Sequence, residues 1–283
     1  MGDAIEVTGL RKRYGDFEAV RGVDFTVRRG EVFGLLGPNG AGKTTTVEIL
    51  EGYRERTAGE VSVLGHDPQR RERDLRQRVG IVLQSSGMYR HITVREAVAH
   101  WAGLYPHPRD VDEVIAVTGL QEKAGTRTRQ LSGGQMRRLD FALALVGDPE
   151  LIFLDEPTTG FDPAARRNAW DVVRSLRDLG KTVLLTTHYL DEAQQLADRV
   201  AVIVAGEIVR LGKPSELIAG THAQIRYRAG GEEIVVETDE PTRTLHELTA
   251  DAVARGVELE ALEVRRATLE DVYLELVDDE EGA

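Results

Sequence analysis

The chain has 283 residues, 41% hydrophobic and 30% charged, the balance of a globular protein long enough for one large domain or two smaller ones. It contains no cysteine, which excludes disulfides and thiolate metal sites and fits a reducing compartment. The net charge of −12 is lopsided: residues 222–283 carry 6 basic and 17 acidic side chains, a solvated acidic end that cannot neutralise phosphates, so no nucleic-acid partner is expected.

In chain order, the opening MGDAIEV lacks a basic start followed by an apolar run, so no secretory signal is expected; Gly2 suggests myristoylation, but Glu6 stands where Ser or Thr is needed. Residues 5–10 and 23–29 alternate apolar and polar, as half-buried strands do. EVFGLLG at 31–37 is a short apolar strand running into GPNGAGKTT at 37–45, and a helix follows Lys43. Strands are expected at about 60–64 and 79–83. Residues 92–145 are mostly helical in pattern. Strands return at 151–155, 182–186 and 200–205, with a helix over 163–178 and a hairpin turn around Ala205-Gly206-Glu207. This alternation predicts a mostly parallel sheet with helices on both faces, interrupted by an inserted helical subdomain at 92–145. Beyond Gly220 the composition shifts. Two strands joined through Gly230-Gly231, a helix at about 241–255, strand VELEALEV and helix TLEDVYLELV predict a small acidic α+β domain, giving domains of 1–220 and 221–283. The apolar runs at 151–154, 182–185 and 200–205 are strand length, far short of a membrane span.

GPNGAGKT fits the phosphate-loop pattern at every position and has the required strand before it and helix after it. Gly37, Gly40 and Gly42 let backbone N–H groups face phosphate oxygens, Lys43 can reach the β- and γ-phosphates, and the Thr44 hydroxyl can ligate Mg²⁺. LIFLDEP at 151–157 delivers Asp155 to the tip of a buried strand, where it can hold Mg²⁺ through water, while Glu156 points elsewhere and can polarise an attacking water. His188 ends the apolar strand TVLLTT and could sense the γ-phosphate. Gln84 ends VGIVLQ, within reach of Mg²⁺ or the water. Tyr14 is an aromatic that could stack on a base. A second anion receptor lies in LSGGQMRR at 131–138: Ser132 is a good N-cap, and Gly133-Gly134 leave amides open at a helix start. An insertion at the sheet's rim is badly placed to fold over its own chain's γ-phosphate, so this turn is expected to cover the phosphate of a second copy.

Taken in order, Tyr14, GPNGAGKTT, Gln84, LSGGQ, Asp155-Glu156, the GFD turn at 160–162 and His188 resemble the nucleotide-binding subunit of an ABC transporter over about residues 4–220. The resemblance implies an α/β fold: a P-loop NTPase ABC cassette with an N-terminal antiparallel β region, an inserted helical subdomain and a small C-terminal α+β domain. It implies ATP and Mg²⁺ as cofactors. Tyr14, Gly37, Pro38, Asn39, Gly40, Ala41, Gly42, Lys43, Thr44 and Thr45 would bind ATP, and Thr44, Gln84 and Asp155 would hold the metal. Glu156 would be the catalytic base, with His188 and Gln84 beside it. Leu131, Ser132, Gly133, Gly134 and Gln135 would complete the site of the opposite chain in a head-to-tail homodimer, and Asp162 would couple the two sites. Phe161 stands where Leu is usual. The stretch from TTHYLDEA to KPSEL, followed by TLEDVYLELVDD, resembles the daunorubicin-resistance-like exporter ATPases of bacteria. Those serve drug, lipid or polysaccharide export through a separately encoded integral-membrane permease, which would place this chain peripherally on the cytoplasmic face of the inner membrane. The alternative, a soluble ABC-type ATPase acting on ribosomes or DNA, would usually carry two cassettes or a long coiled-coil insertion, and the sequence has neither.

Overall fold

The computed structural model describes residues 2–82, 91–218, 223–229, 232–265 and 268–273. The chain divides into two compact units, Met1–Lys213 and Pro214–Ala283. The division falls a few residues before the 220 read from composition, because helix α8 (Pro214–Ile218), opened by its proline, groups with the C-terminal unit.

The first unit begins with β1 (Ile5–Tyr14), β2 (Phe17–Val27), β3 (Val32–Leu36), α1 (Lys43–Leu50), β4 (Ala58–Val63), α2 (Arg73–Arg78) and β5 (Val79–Val82). Its helical stretch is α3 (Val94–Ala102), α4 (Val111–Val117) and α5 (Gly133–Leu145). It closes with β6 (Leu151–Asp155), α6 (Pro163–Asp178), β7 (Thr182–Thr187), α7 (Leu190–Leu196), β8 (Arg199–Val204) and β9 (Glu207–Gly212). The main sheet has the order β5-β6-β7-β3-β8-β9, parallel except for β9. A second, three-stranded antiparallel sheet has the order β2-β1-β4.

The buried strands of the main sheet send alternate residues to opposite faces. Ile152, Leu154, Val183 and Leu185 join a core with the helical stretch and α6. Leu151, Phe153, Leu184, Phe33 and Leu35 join a second core with β1, β2, β4 and α1. Phe25 of β2 stacks on Phe33 of β3 with ring centroids 5.4 Å apart, so the antiparallel sheet is anchored on the strand that leads into the phosphate loop. The β8–β9 hairpin turns through Ala205 (φ 47°) and Gly206 (φ 88°), the paired positive φ values of a tight two-residue turn.

Helix starts follow local chemistry. Thr93 with Glu96, and Ser132 with Gln135, form reciprocal capping boxes at α3 and α5. Asp162 caps α6 by accepting from the Ala164 and Ala165 N–H groups at 2.8 and 2.9 Å, and Pro163 occupies the first helical position. β1 and β2 are longer than the alternation predicts. Their pairing continues through polar partners such as Arg13↔Glu18 to Tyr14↔Phe17, so cross-strand pairing extends them where apolar patterning stops.

The second unit pairs β10 (Ala223–Ala229) with β11 (Glu232–Thr238) and with β12 (Glu260–Arg265), both antiparallel, and carries α9 (Pro241–Arg255). Residues 269–273 are helical. The Gly230-Gly231 link and the rest of TLEDVYLELV lie outside the described residues.

Candidate nucleotide site

Strand order brings the site together. β7 lies between β6 and β3, so the C-terminal ends of three adjacent parallel strands present Asp155, His188 and the phosphate loop side by side. Leu36 pairs with Thr187, and Asp155 with Thr186, which levels the three ends.

The loop 37–42 needs its glycines at particular places. A Cβ on Gly37 would lie 2.2 Å from the Ile203 carbonyl oxygen, and one on Gly42 2.6 Å from that of Ala19. Gly42 also has φ 103° as the residue before α1. Pro38, Asn39, Gly40 and Ala41 complete the turn, with Asn39 and Gly40 exposed and Ala41 buried. Lys43 is almost fully buried, and its ammonium donates to the carbonyl oxygens of Gly37 (2.8 Å) and Pro38 (3.1 Å). Burial lowers its pKa, and the nearby Glu156 and Asp155 carboxylates oppose that shift. Thr44 is exposed at the helix start and Thr45 half-buried behind it.

Glu156 Oε1 lies 3.9 Å from Lys43 Nζ and 3.4 Å from His188 Nδ1, and Glu156 Oε2 accepts from Thr159 Oγ1 at 3.0 Å. Its backbone is held in the left-handed region at φ 43°, which costs a non-glycine residue roughly 1–2 kcal/mol. Thr186 sets both carboxylates. Its hydroxyl donates to Asp155 Oδ1 at 2.6 Å and accepts from the Glu156 N–H at 3.0 Å, while the Thr186 carbonyl oxygen takes the same N–H at 3.2 Å. The exposed Thr44 hydroxyl and the Asp155 carboxylate are hard oxygen donors of the kind Mg²⁺ takes alongside phosphate, so these residues fit that ion. Gln84 lies outside the described residues.

Tyr14 ends β1 exposed, with Lys12 Nζ and Arg54 Cζ over its ring at 5.1 and 5.3 Å from the centroid, so cations already engage the π-surface. The signature turn is elsewhere. Ser132, Gly133, Gly134 and Gln135 line a cavity of about 460 Å³ shared with Phe161, Asp162 and Ala165, and no phosphate-loop residue appears among its lining residues. Leu131 anchors the turn by packing on the helical core. Asp162 has a local task there as the α6 cap.

Further side chains at or beside the site, three of them in or next to its strands and helices, were not legible as functional. Thr186 is one. Glu192 of α7 is fully buried and accepts from Thr158 Oγ1 (2.9 Å) and Trp170 Nε1 (3.0 Å), tying the loop after Glu156 to α6 and α7; burial raises its pKa. Glu51, just past α1, is the third. Burial, with Asp155 and Glu48 adding to it, pushes its carboxyl from 4.5 to about 8, and its Oε1 is buried without a hydrogen-bond partner. The folded state therefore binds a proton that the unfolded chain releases between those values, and stability falls as pH rises from 4.5 to 8. Glu51→Gln is expected to remove that slope. It should melt with the parent near pH 4.5 and about 5 °C or more higher at pH 8, since one pKa unit is about 1.4 kcal/mol. Identical melting curves at pH 8 would show that Glu51 ionises freely.

Comparison with known proteins agrees with this geometry. The family pattern described as ABC transporter matches residues 20–159, and that of an ABC transporter domain-containing protein-like C-terminal domain matches 217–268. The daunorubicin resistance ATP-binding protein DrrA3 of Streptomyces coeruleorubidus is 39% identical over 98% of this chain and 96% of its own length. The Nod factor export ATP-binding protein I of Burkholderia lata is 41% identical over 88% of this chain and 81% of its own. Among solved structures, cbiO1 from Clostridium perfringens, part of the ABC transporter complex cbiONQ, superposes with a TM-score of 0.71 at 29% identity, covering 78% of this chain and 92% of that one. A dimeric post-hydrolysis ATP-binding cassette bound to ADP and Pi gives 0.64 at 25% identity, over 74% and 98%. With a full-length relative at this identity and a phosphate loop, acidic strand end and histidine gathered at adjacent strand tips, the chain belongs to the ABC transporter family, as an ATP-hydrolysing ATP-binding subunit of exporter type.

Proposed function

We propose that the chain powers export by working as a head-to-tail homodimer that closes on two Mg·ATP and drives a separate integral-membrane permease. The observation that carries this reading is the separation of two anion receptors on one chain: the phosphate loop meets Glu156 and His188, whereas the signature turn opens into a cavity of its own. A second copy supplies what each receptor lacks. The similarity to export ATP-binding proteins along almost the whole chain supports the direction of transport, and the dimeric cassette with ADP and Pi supports the arrangement.

In this reading Tyr14 stacks the adenine, and residues 37–45 bind the phosphates through backbone amides and the Lys43 ammonium. Thr44, Asp155 and Gln84 would hold Mg²⁺, which when bound would neutralise charge on the phosphate oxygens. Glu156 accepts a proton from the attacking water as its oxygen bonds to the γ-phosphorus and the bond to the ADP oxygen breaks, leaving ADP and phosphate. His188 orients Glu156 and the γ-phosphate. Leu131 packs the signature turn in place, Gln135 completes the Ser132 cap, and Ser132, Gly133 and Gly134 hold the γ-phosphate of the opposite chain until hydrolysis releases it. Asp162 couples the sites by fixing the start of α6 beside that turn. Among the described residues no helix is long and apolar enough to cross a membrane. In this reading the permease supplies the path and the chain sits peripherally at the cytoplasmic face, which the similarity to export ATP-binding subunits supports.

A pull-down from native membranes with Glu156→Gln and Mg·ATP tests the partner. A stoichiometric multi-span protein, identified by mass spectrometry, is the expected result. Recovery of soluble partners alone, from membranes shown to release the candidate permease, would move the reading to a soluble ABC-type ATPase.

A further inference from the structure

Arg137 lies five residues into the signature helix, counted from the Ser132 cap, and its side chain is turned inward and almost fully buried. Its guanidinium reaches out of its own helix. Nε donates to the Pro157 carbonyl oxygen at 3.0 Å, and Nη2 donates to the Asp155 carbonyl oxygen at 3.3 Å. These two carbonyls bracket Glu156. The Asp155–Glu156 peptide is thereby held at both ends, its oxygen by Arg137 and its N–H by Thr186. The next carbonyl but one is held by the same guanidinium, and Pro157 has no N–H with which to compensate. A non-glycine residue persists in the left-handed region only where its surroundings over-determine it. Arg137 provides a large part of that constraint, with Asp140 one turn along α5 at 3.9 Å from Nη1.

The planar guanidinium holds the two carbonyls with two different nitrogens, Nε and Nη2, set in a fixed fork, a geometry that a point-like ammonium does not reproduce. The bridge also joins functional parts. Its near end is the helix whose first turn carries Ser132, Gly133 and Gly134; its far end fixes the backbone from which the Glu156 carboxylate is aimed. We propose that Arg137 is a positioning residue that ties the signature turn to the Glu156 of the same chain, so that a phosphate seated on the turn sets the aim of that chain's own base. This rests on the reading of Glu156 as the base and of the turn as a receptor for the opposite chain's nucleotide, and it goes further. Occupancy of one site of the dimer then prepares the base of the other, and hydrolysis is cooperative in ATP through this contact.

The test uses the full chain and steady-state ATP hydrolysis. Arg137→Lys keeps the positive charge near Asp140 but removes the two-carbonyl bridge. The expected result is a kcat about tenfold or more below the parent, ATP affinity within about twofold, a fold that stays intact at the assay temperature and a Hill coefficient falling towards 1, roughly the scale of a misaligned but present base. In a Glu156→Gln background, Arg137→Lys should produce no further loss, because both changes act through one group. A kcat and Hill coefficient equal to the parent's would overturn the inference. So would a kcat loss that simply tracks lost ATP affinity or lost thermal stability, or one that adds in full to the loss from Glu156→Gln. If Arg137→Lys does not fold, Arg137→Gln is read by the same criteria. The underlying reading fails separately: Glu156→Gln with parental turnover removes Glu156 as base, whereas an inactive Glu156→Gln beside a fully active Arg137→Lys removes only the role of Arg137.

Discussion

Glu156→Gln is expected to lower ATP turnover by about 10² to 10⁴-fold while leaving nucleotide binding intact. The amide keeps the shape of the side chain and can still accept from Thr159 Oγ1. The backbone that aims it is held by Thr186 and Arg137, which the substitution does not touch. What is lost is the ability to take a proton from water, together with the negative charge between Lys43 and His188. Since in the proposed reading the ground-state contacts to phosphate come from the loop and Lys43, ATP should bind and stay. With hydrolysis stopped, the bridging γ-phosphates remain, and the variant should accumulate as an ATP-loaded dimer on size exclusion, with about two nucleotides per dimer. Shifting a monomer-like population from 1:99 to 99:1 requires about 5.5 kcal/mol, which contacts to two charged nucleotides can supply. Two results would count against separate parts of this account. Turnover within tenfold of the parent would show that another group activates the water. A protein that remains monomeric with saturating Mg·ATP would show that nucleotide does not bridge two chains.

The sequence made the phosphate loop and its context legible because motif positions and strand ends coincide there. EVFGLLG must be a buried strand, and glycines with an adjoining Lys-Thr pair have little other use. The α6 helix was legible to the residue because Asp162 and Pro163 are strong start signals and the apolar period of the helix is clear. Helix α7 left no such trace: it has seven residues, and Tyr189 before it makes no side-chain cap. Thr186 and Arg137 were hidden for a different reason. Their task depends on where the Asp155–Glu156 peptide lies in space, and that peptide is 18 residues from Arg137 and 31 from Thr186 along the chain. Local pattern gives Thr186 a place in a β-rich strand and Arg137 a place in an arginine pair on an amphipathic helix. Neither place says that the side chain faces inward towards a carbonyl. Glu51 and Glu192 break the usual rule that carboxylates are exposed, and only the packed structure reveals which of the 48 acidic residues do so.

Mixing two inactive variants distinguishes a signature turn that acts across chains from one that acts within its own. Lys43→Ala removes the ammonium that fills the phosphate loop, and alone it should reduce ATP affinity and turnover in both sites of a homodimer. Gly134→Asp is tolerated by the fold: a Cβ there would meet the Ala165 side chain at 3.6 Å, an ordinary contact, and no residue lies within 4 Å of a Cβ at Gly133. Its carboxylate, however, would stand at the start of α5, where the amides and the helix dipole would otherwise receive an anion, and it would repel a phosphate. Each variant alone should therefore be close to inactive. In a heterodimer of the two, one site combines both lesions. The other combines the intact Lys43 of one chain with the intact Gly134 of its partner. Random pairing makes about half of the dimers mixed, each with one site free of both lesions, so turnover per chain should rise above either single variant towards a ceiling of about a quarter of the parent's, lowered by the Arg137 coupling because the chain supplying that site's Glu156 carries Gly134→Asp. If the turn served the phosphate loop of its own chain, every site in the mixture would carry one lesion and pairing could restore nothing. A mixture that stays at the level of the single variants, with heterodimers shown to form by differential tagging, would therefore refute the head-to-tail arrangement.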